Sequence, residues 1–202
     1  MEKHRIVTGV AHDLNVVRFA IFDVPDKPGV ARNLFKALAD AGINVDMVIQ
    51  SAMRDNRNDI AFTTEENELQ KTVPIVEKLV HDIGASGMTY GTNVAKISIV
   101  GAGMQSNPGV AAAMFEALAD EEINIHMIST SEIKVSCIID QERIKDAVRS
   151  LHKKFSLDLA NWIIRQKLPD YGEEVLTCLN FCYRIFFASG CSSVWYERYV
   201  GD

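Results

Sequence analysis

The chain contains the same sequence pattern twice. The stretch PGVARNLFKALADAGIN begins at Pro28, and PGVAAAMFEALADEEIN begins at Pro108. When residues 26–50 are aligned with residues 106–130, 12 of the 25 positions are identical. A repeat of this period indicates that one structural unit occurs twice. At 202 residues the chain is long enough for two small domains of this kind.

Both copies predict the same order of secondary structure. Apolar residues alternate along a first strand at Val17, Phe19 and Ile21 and again at Ile97 and Ile99, which is typical of a strand with one buried face. A Pro-Gly turn then precedes a helix with apolar residues at helical spacing. Further apolar runs predict, in copy one, strands at 43–49 and 60–64 and a helix at 69–83, and in copy two, strands at 123–128 and 134–139 and a helix at 141–155.

The last strand of each unit comes from a different part of the chain. Copy one has a closing strand at 88–92, whereas the pattern of copy two ends after Phe155. Residues 6–11 predict a strand that copy one does not need, so we expect it to complete the second sheet. The predicted fold is α+β, with two ferredoxin-like βαββαβ domains and the first inserted into the second. The predicted bounds are 16–93 for the first domain and 6–15 plus 94–158 for the second.

These segments resemble a known family. VTGVAHD at residues 7–13, the Pro28 and Pro108 stretches, and INIHMISTSEIKVS at residues 123–136 are similar to the paired ACT domains of aspartate kinases. The resemblance extends from about residue 6 to residue 158. It implies two ACT domains, with the first inserted into the second as in that family.

The kinase domain of that family has no counterpart here. Phosphoryl transfer needs backbone amides and a lysine around the phosphates, and the sequence has neither a P-loop nor a GxGxxG motif. We therefore expect no catalytic residues, no metal and no cofactor. The resemblance implies a non-catalytic regulatory subunit, made from an internal start, that partners a full-length aspartate kinase subunit. It also implies binding of threonine and/or lysine for feedback inhibition of the first step of aspartate-family amino-acid biosynthesis.

The repeated Pro-Gly turn suits the binding of an amino acid. Proline fits the first turn of a helix, and glycine lets a ligand approach the backbone. The free amides and the positive end of the helix dipole favour a carboxylate. The ammonium of the ligand needs acceptors, which Asp26 and Gln50 can supply. One unit offers half of a pocket, and the strand edge at Asn124 and Ile125 of a neighbouring unit can close it.

The resemblance implies two sets of effector-binding residues. The first set comprises Asp26, Lys27, Pro28, Gly29, Val30, Ala31, Gln50, Asn124 and Ile125. The second, at the companion interface, comprises Asp46, Met47, Ser106, Asn107, Pro108, Gly109, Val110, Ser129 and Glu132. Copy two has Ser106 in place of Asp26 and Thr130 in place of Gln50, so we expect chemically different pockets.

Composition excludes several other partners. The formal charge is −6 and the pI is about 5.4, so nothing suggests nucleic acid. No stretch approaches the roughly 20 apolar residues of a membrane span. We expect a cytoplasmic protein that does not bind membranes. Exposed strand edges and half-pockets predict a homodimer through the ACT domains.

Residues 159–202 differ from the rest of the chain. They hold nine of its sixteen aromatic residues and three of its four cysteines. Nothing in them matches the ACT family, and we interpret them as a non-native extension produced by a reading frame that overran its stop. A small docking segment is the alternative interpretation.

Two other functions stay open at this point. One is a free-standing tandem-ACT sensor of amino acids that controls another protein. The other is a small ferredoxin-like hydrolase of the acylphosphatase kind, which needs a positioned arginine beside a phosphate loop. Arg32 follows the first Pro-Gly turn, but its counterpart in copy two is Ala112, which argues against the hydrolase.

Overall fold

A computed structural model describes residues 6–102, 104 and 107–157. The described residues up to Phe155 belong to one compact unit. The strands are β1 (Gly9–Asp13), β2 (Val17–Pro25), β3 (Val48–Gln50), β4 (Arg57–Thr64), β5 (Gly87–Gly91), β6 (Val94–Val100), β7 (Met127–Thr130) and β8 (Lys134–Asp140). The helices are α1 (Val30–Asp40), α2 (Leu69–Ile83), α3 (Val110–Asp120) and α4 (Ile144–Lys154).

The first four-stranded sheet has the order β3-β4-β2-β5 and is antiparallel throughout. The alternation predicted for β2 is confirmed, because Val17, Phe19 and Ile21 are fully buried. Phe19 lies opposite Phe62 of β4, and their rings stack with centroids 5.2 Å apart. Leu34 of α1 packs in the same core cluster, which fixes this helix on one face of the sheet.

The second sheet has the order β1-β6-β8-β7. Its edge strand β1 comes from the start of the chain and pairs antiparallel with β6, with Gly9 opposite Val100 and Asp13 opposite Lys96. All strands of the first sheet therefore lie between β1 and β6 in sequence. The predicted α+β fold with two ferredoxin-like ACT domains is confirmed, and the predicted residue bounds of the two domains stay a prediction.

Both repeated helices begin at a glycine with left-handed backbone. Gly29 has φ +96° and Gly109 has φ +99°, a conformation that side chains disfavour, so glycine is required at this turn. The ends of the two helices differ. Gly42 follows α1 with φ +73°, whereas the corresponding Glu122 adopts φ +54° without the freedom of glycine.

The predicted second strands were too long. Strand β3 begins at Val48 rather than at residue 43, and β7 begins at Met127 rather than at residue 123. In the first sheet, two consecutive residues face Thr63: the Asp46 amide donates to the Thr63 carbonyl (3.1 Å), and the Met47 amide donates to Thr63 Oγ1 (3.1 Å). This two-against-one arrangement interrupts the ladder before β3.

An apolar cluster joins the two sheets. We call it the inter-sheet cluster; its buried members are Val16, Met47, Val94, Met127 and Ile138, with Ile49 and Ala61 packed against them. Beside it, Lys96 Nζ of β6 lies 2.7 Å from Asp46 Oδ2 and 3.7 Å from Asp13 Oδ2. Both apolar and ionic contacts therefore connect the two repeats.

Among the described residues, no helix combines the length and apolar character needed to cross a membrane. The predicted non-native extension at residues 159–202 lies outside the described part of the chain, as does Ser106 of the second predicted site.

Candidate functional site

A cleft of about 380 Å³ opens at the start of α1. Its walls come from the end of β2, the turn that follows, the first residues of α1, the end of β3, and β4. The lining residues are Val24, Pro25, Asp26, Lys27, Pro28, Gly29, Val30, Ala31, Gln50, Asn58 and Ile60.

The start of α1 directs uncompensated positive charge towards this cleft. Within the described part of the chain, no side chain caps the helix, and its first turn carries no acidic residue. The backbone amide of Asn33 donates a hydrogen bond to the Gly29 carbonyl (2.9 Å). The backbone amide of Val30 donates a longer one to the Lys27 carbonyl (3.3 Å). Because helix N-termini carry free amides and a partial positive charge, this wall suits a carboxylate.

Asp26 supplies the acidic wall of the cleft. Its amide donates to the Asn56 carbonyl (2.9 Å), and its Oδ1 accepts a hydrogen bond from Asn58 Nδ2 (3.3 Å). Gln50 lies at the end of β3, opposite Ile60 of β4, and is exposed. A cation-binding side and an anion-binding side therefore share one cleft, as a zwitterion requires.

Seven of the nine residues predicted for the first effector site line this cleft: residues 26–31 and Gln50. The other two, Asn124 and Ile125, precede β7 of the second sheet and do not line it. Sequence reasoning missed Asn58. The signal was available, because Asn58 is a polar residue at the inward-facing position of β4, two before Ile60.

The residues of the second predicted site lie on several elements of the fold, and the site itself stays a prediction. The Asp46 carboxylate is paired with Lys96, and Met47 is 4% exposed within the inter-sheet cluster. Pro108, Gly109 and Val110 form the start of α3, which copies the geometry of α1. Ser129 is on β7, and Glu132 is exposed in the turn to β8. Asn107 precedes the α3 turn, and its backbone amide donates a hydrogen bond to the Met104 carbonyl (3.3 Å).

A second cavity of about 460 Å³ adjoins the cleft and shares Asn58 with it. It lies under the β3–β4 loop, which is longer in the first repeat than in the second. Its lining residues are Asp23, Ser51, Ala52, Met53, Arg54, Arg57, Asn58 and Asp59. Asn58 therefore forms the partition between two openings.

Family models of the ACT domain match this chain twice, at residues 18–81 and at residues 97–155. The chain is 45% identical over 153 residues to an aspartate kinase of Pseudomonas putida and 42% identical over 154 residues to an aspartokinase of Mycolicibacterium smegmatis. These matches cover 76% and 75% of the chain. The chain spans 37% of the length of either relative.

Two solved structures of aspartate kinase subunits match this chain over almost the whole length of their own chains. A chain in a crystal structure of aspartokinase alpha and beta subunits is 47% identical, with a TM-score of 0.70, and the match covers 75% of this chain and 99% of that one. The ligand-free regulatory subunit of aspartate kinase from Thermus thermophilus is 41% identical, with a TM-score of 0.70, and the match covers 74% and 99%. The chain therefore belongs to the aspartate kinase family, and its two repeats are the ACT domains of that family's regulatory region.

Proposed function

We propose that this chain is the non-catalytic regulatory subunit of an aspartate kinase. It binds threonine and/or lysine at ACT-domain interfaces, and the bound amino acid inhibits the first step of aspartate-family biosynthesis. The activity belongs to a full-length aspartate kinase subunit that this chain partners.

The cleft at the start of α1 carries this proposal. Its helix N-terminus suits the ligand's carboxylate, and Asp26 with Gln50 suits its ammonium. A volume of about 380 Å³ exceeds that of one small amino acid, and the cleft is open on one side. The missing wall is supplied by Asn124 and Ile125 of another ACT unit, most simply in a homodimer through these domains.

Closure of the cleft by a second unit provides the regulatory mechanism. The ligand contacts both units only in one relative orientation, so binding favours that orientation. By thermodynamic linkage, a domain attached to these units is shifted towards the conformation that fits the favoured orientation. In the holoenzyme the attached part is the kinase domain.

Titration calorimetry of the chain with threonine and with lysine tests this function. We expect at least one of them to bind with a Kd below about 1 mM. Asp26→Ala and Gln50→Ala should each weaken binding about tenfold or more, since each removes an acceptor for a charged group. Asp40→Ala is the matched control, because Asp40 pairs with Lys36 on the exposed side of α1. Absence of measurable heat with either amino acid would contradict the proposal.

Co-purification separates this function from a free-standing sensor. A regulatory subunit should form a stable complex with a kinase-bearing aspartate kinase chain from the same cell and render its activity sensitive to the bound amino acid. Amino-acid binding without such a complex would favour the sensor.

A further inference from the structure

Asn58 carries an unused hydrogen-bond acceptor inside the wall of the cleft. The residue is 5% exposed, and among the described residues nothing donates to its Oδ1. Buried polar groups are nearly always paired, so this acceptor needs a donor from outside the described residues, and a ligand in the cleft can supply one.

The orientation of the Asn58 amide is set by its neighbour. Nδ2 donates to Asp26 Oδ1 across 3.3 Å, and a carboxylate accepts but does not donate, so the nitrogen is the atom that faces Asp26. The Asn58 oxygen and the Asp26 carboxylate are therefore neighbouring acceptors. One ammonium, with three N–H donors, can bind both at once.

We propose that Asn58 Oδ1 and Asp26 together form the ammonium-binding pair of the cleft, with Asn58 as a binding residue in its own right. This inference rests on the proposed function, since it concerns the same ligand. It also explains why a polar residue occupies an inward-facing position of β4, opposite Val24 of β2 and two residues before Ile60.

Two variants distinguish an accepting role from a positioning role. Asn58→Leu removes both the acceptor and the donor to Asp26, whereas Asn58→Asp keeps an acceptor and removes the amide donor. We expect N58L to weaken threonine binding about tenfold or more. N58D should lose clearly less affinity than N58L, because an ammonium between the two neighbouring carboxylates relieves their repulsion. Asn67→Leu, at an exposed position in the turn before α2, is the matched control and should bind threonine normally.

Calorimetry with threonine and with 2-aminobutanoate, which lacks the hydroxyl, shows which ligand group donates a hydrogen bond to Asn58 Oδ1. An equal fold-loss for both ligands in N58L supports the ammonium, whereas a loss confined to threonine shows that Asn58 binds the hydroxyl and overturns the inference. Equal losses in N58L and N58D show that Asn58 only orients Asp26, which also overturns it. Unchanged binding by N58L contradicts the inference alone. If the unchanged chain binds lysine but not threonine, the variants are compared with lysine, and unchanged lysine binding by N58L contradicts the inference. If it binds none of the three ligands, the proposed function fails along with the inference.

Discussion

Individual residues show where the two repeats have diverged. Gly42 ends α1 in the left-handed conformation, and Glu122 holds the same backbone shape after α3 at a cost of about 1 kcal/mol. Gly101, after β6, has another constraint: a Cβ there would collide with the Ile6 carbonyl. The repeated glycines at the helix starts adopt the left-handed backbone that the turn needs. Gly101 instead leaves room for the backbone of the N-terminal segment at Ile6.

The single cysteine of the repeats gives a prediction about pH. Burial raises the pKa of the Cys137 thiol from 9.0 to about 12. Between pH 9 and pH 12 the unfolded chain loses this proton while the folded chain keeps it. The free energy of unfolding should therefore fall by about 1.4 kcal/mol per pH unit in that window, with no contribution from this group below it.

Urea denaturation between pH 7 and pH 10.5 measures this effect. The unchanged chain should lose stability relative to Cys137→Ala above pH 9, and the difference between the two should be constant below pH 9. A constant difference over the whole range would show that the thiol ionises as readily in the folded chain as in the unfolded one.

At the scale of elements, α2 is the helix whose sequence least suits its structure. It runs from Leu69 to Ile83 and contains Pro74 in its second turn. Proline removes the amide that would bond the Gln70 carbonyl and crowds that carbonyl. Thr72 and Val76 are buried against the first sheet, so packing holds the helix together despite the proline.

Pro74→Ala should stabilise the chain by about 1–3 kcal/mol, because it restores a helical hydrogen bond and relieves the crowding. Chemical denaturation gives the difference in free energy. Glu77→Ala, at another exposed position of α2, should change stability by less than about 0.5 kcal/mol. A destabilised P74A would mean that the proline ring itself packs against the fold.

At the scale of the whole molecule, the main feature is the connection between the two repeats. The inter-sheet cluster supplies apolar contact, and Lys96 of the second sheet reaches Asp46 of the first at 2.7 Å. The side chain of Lys96 is 18% exposed, so solvent screens this pair less than a surface pair. The apolar cluster and this ion pair therefore both oppose a change in the relative orientation of the two repeats.

Lys96→Met should lower the free energy of unfolding by about 1–3 kcal/mol, since it leaves Asp46 and Asp13 near each other without a cation. Lys36→Met breaks an ion pair of which both members are more than 60% exposed, and it should cost less than about 0.5 kcal/mol. A double-mutant cycle with Asp46→Asn isolates the pair energy. Equal effects of K96M and K36M would show that the contact between the repeats adds no stability.

The repeat, the order of elements and the turn that builds the cleft are all predictable from the sequence alone. These depend on local signals: the period of apolar residues, the Pro-Gly dipeptide, and the alternation that makes Phe19 and Ile21 face the core. The N-terminal strand was also predictable, because one sheet was missing a strand and another part of the chain offered one.

Other features of the molecule become visible only in the folded chain. Residues 43–47 look like a strand in sequence, but Thr63 bonds two of them at once and so shortens β3. Asp46, which the resemblance assigns to the second effector site, is paired with Lys96, fifty residues away. Asn58 became a candidate only when its neighbours showed that its amide is paired and its oxygen is not. Each of these outcomes depends on contacts between distant parts of the chain, and local periodicity carries no information about such partners.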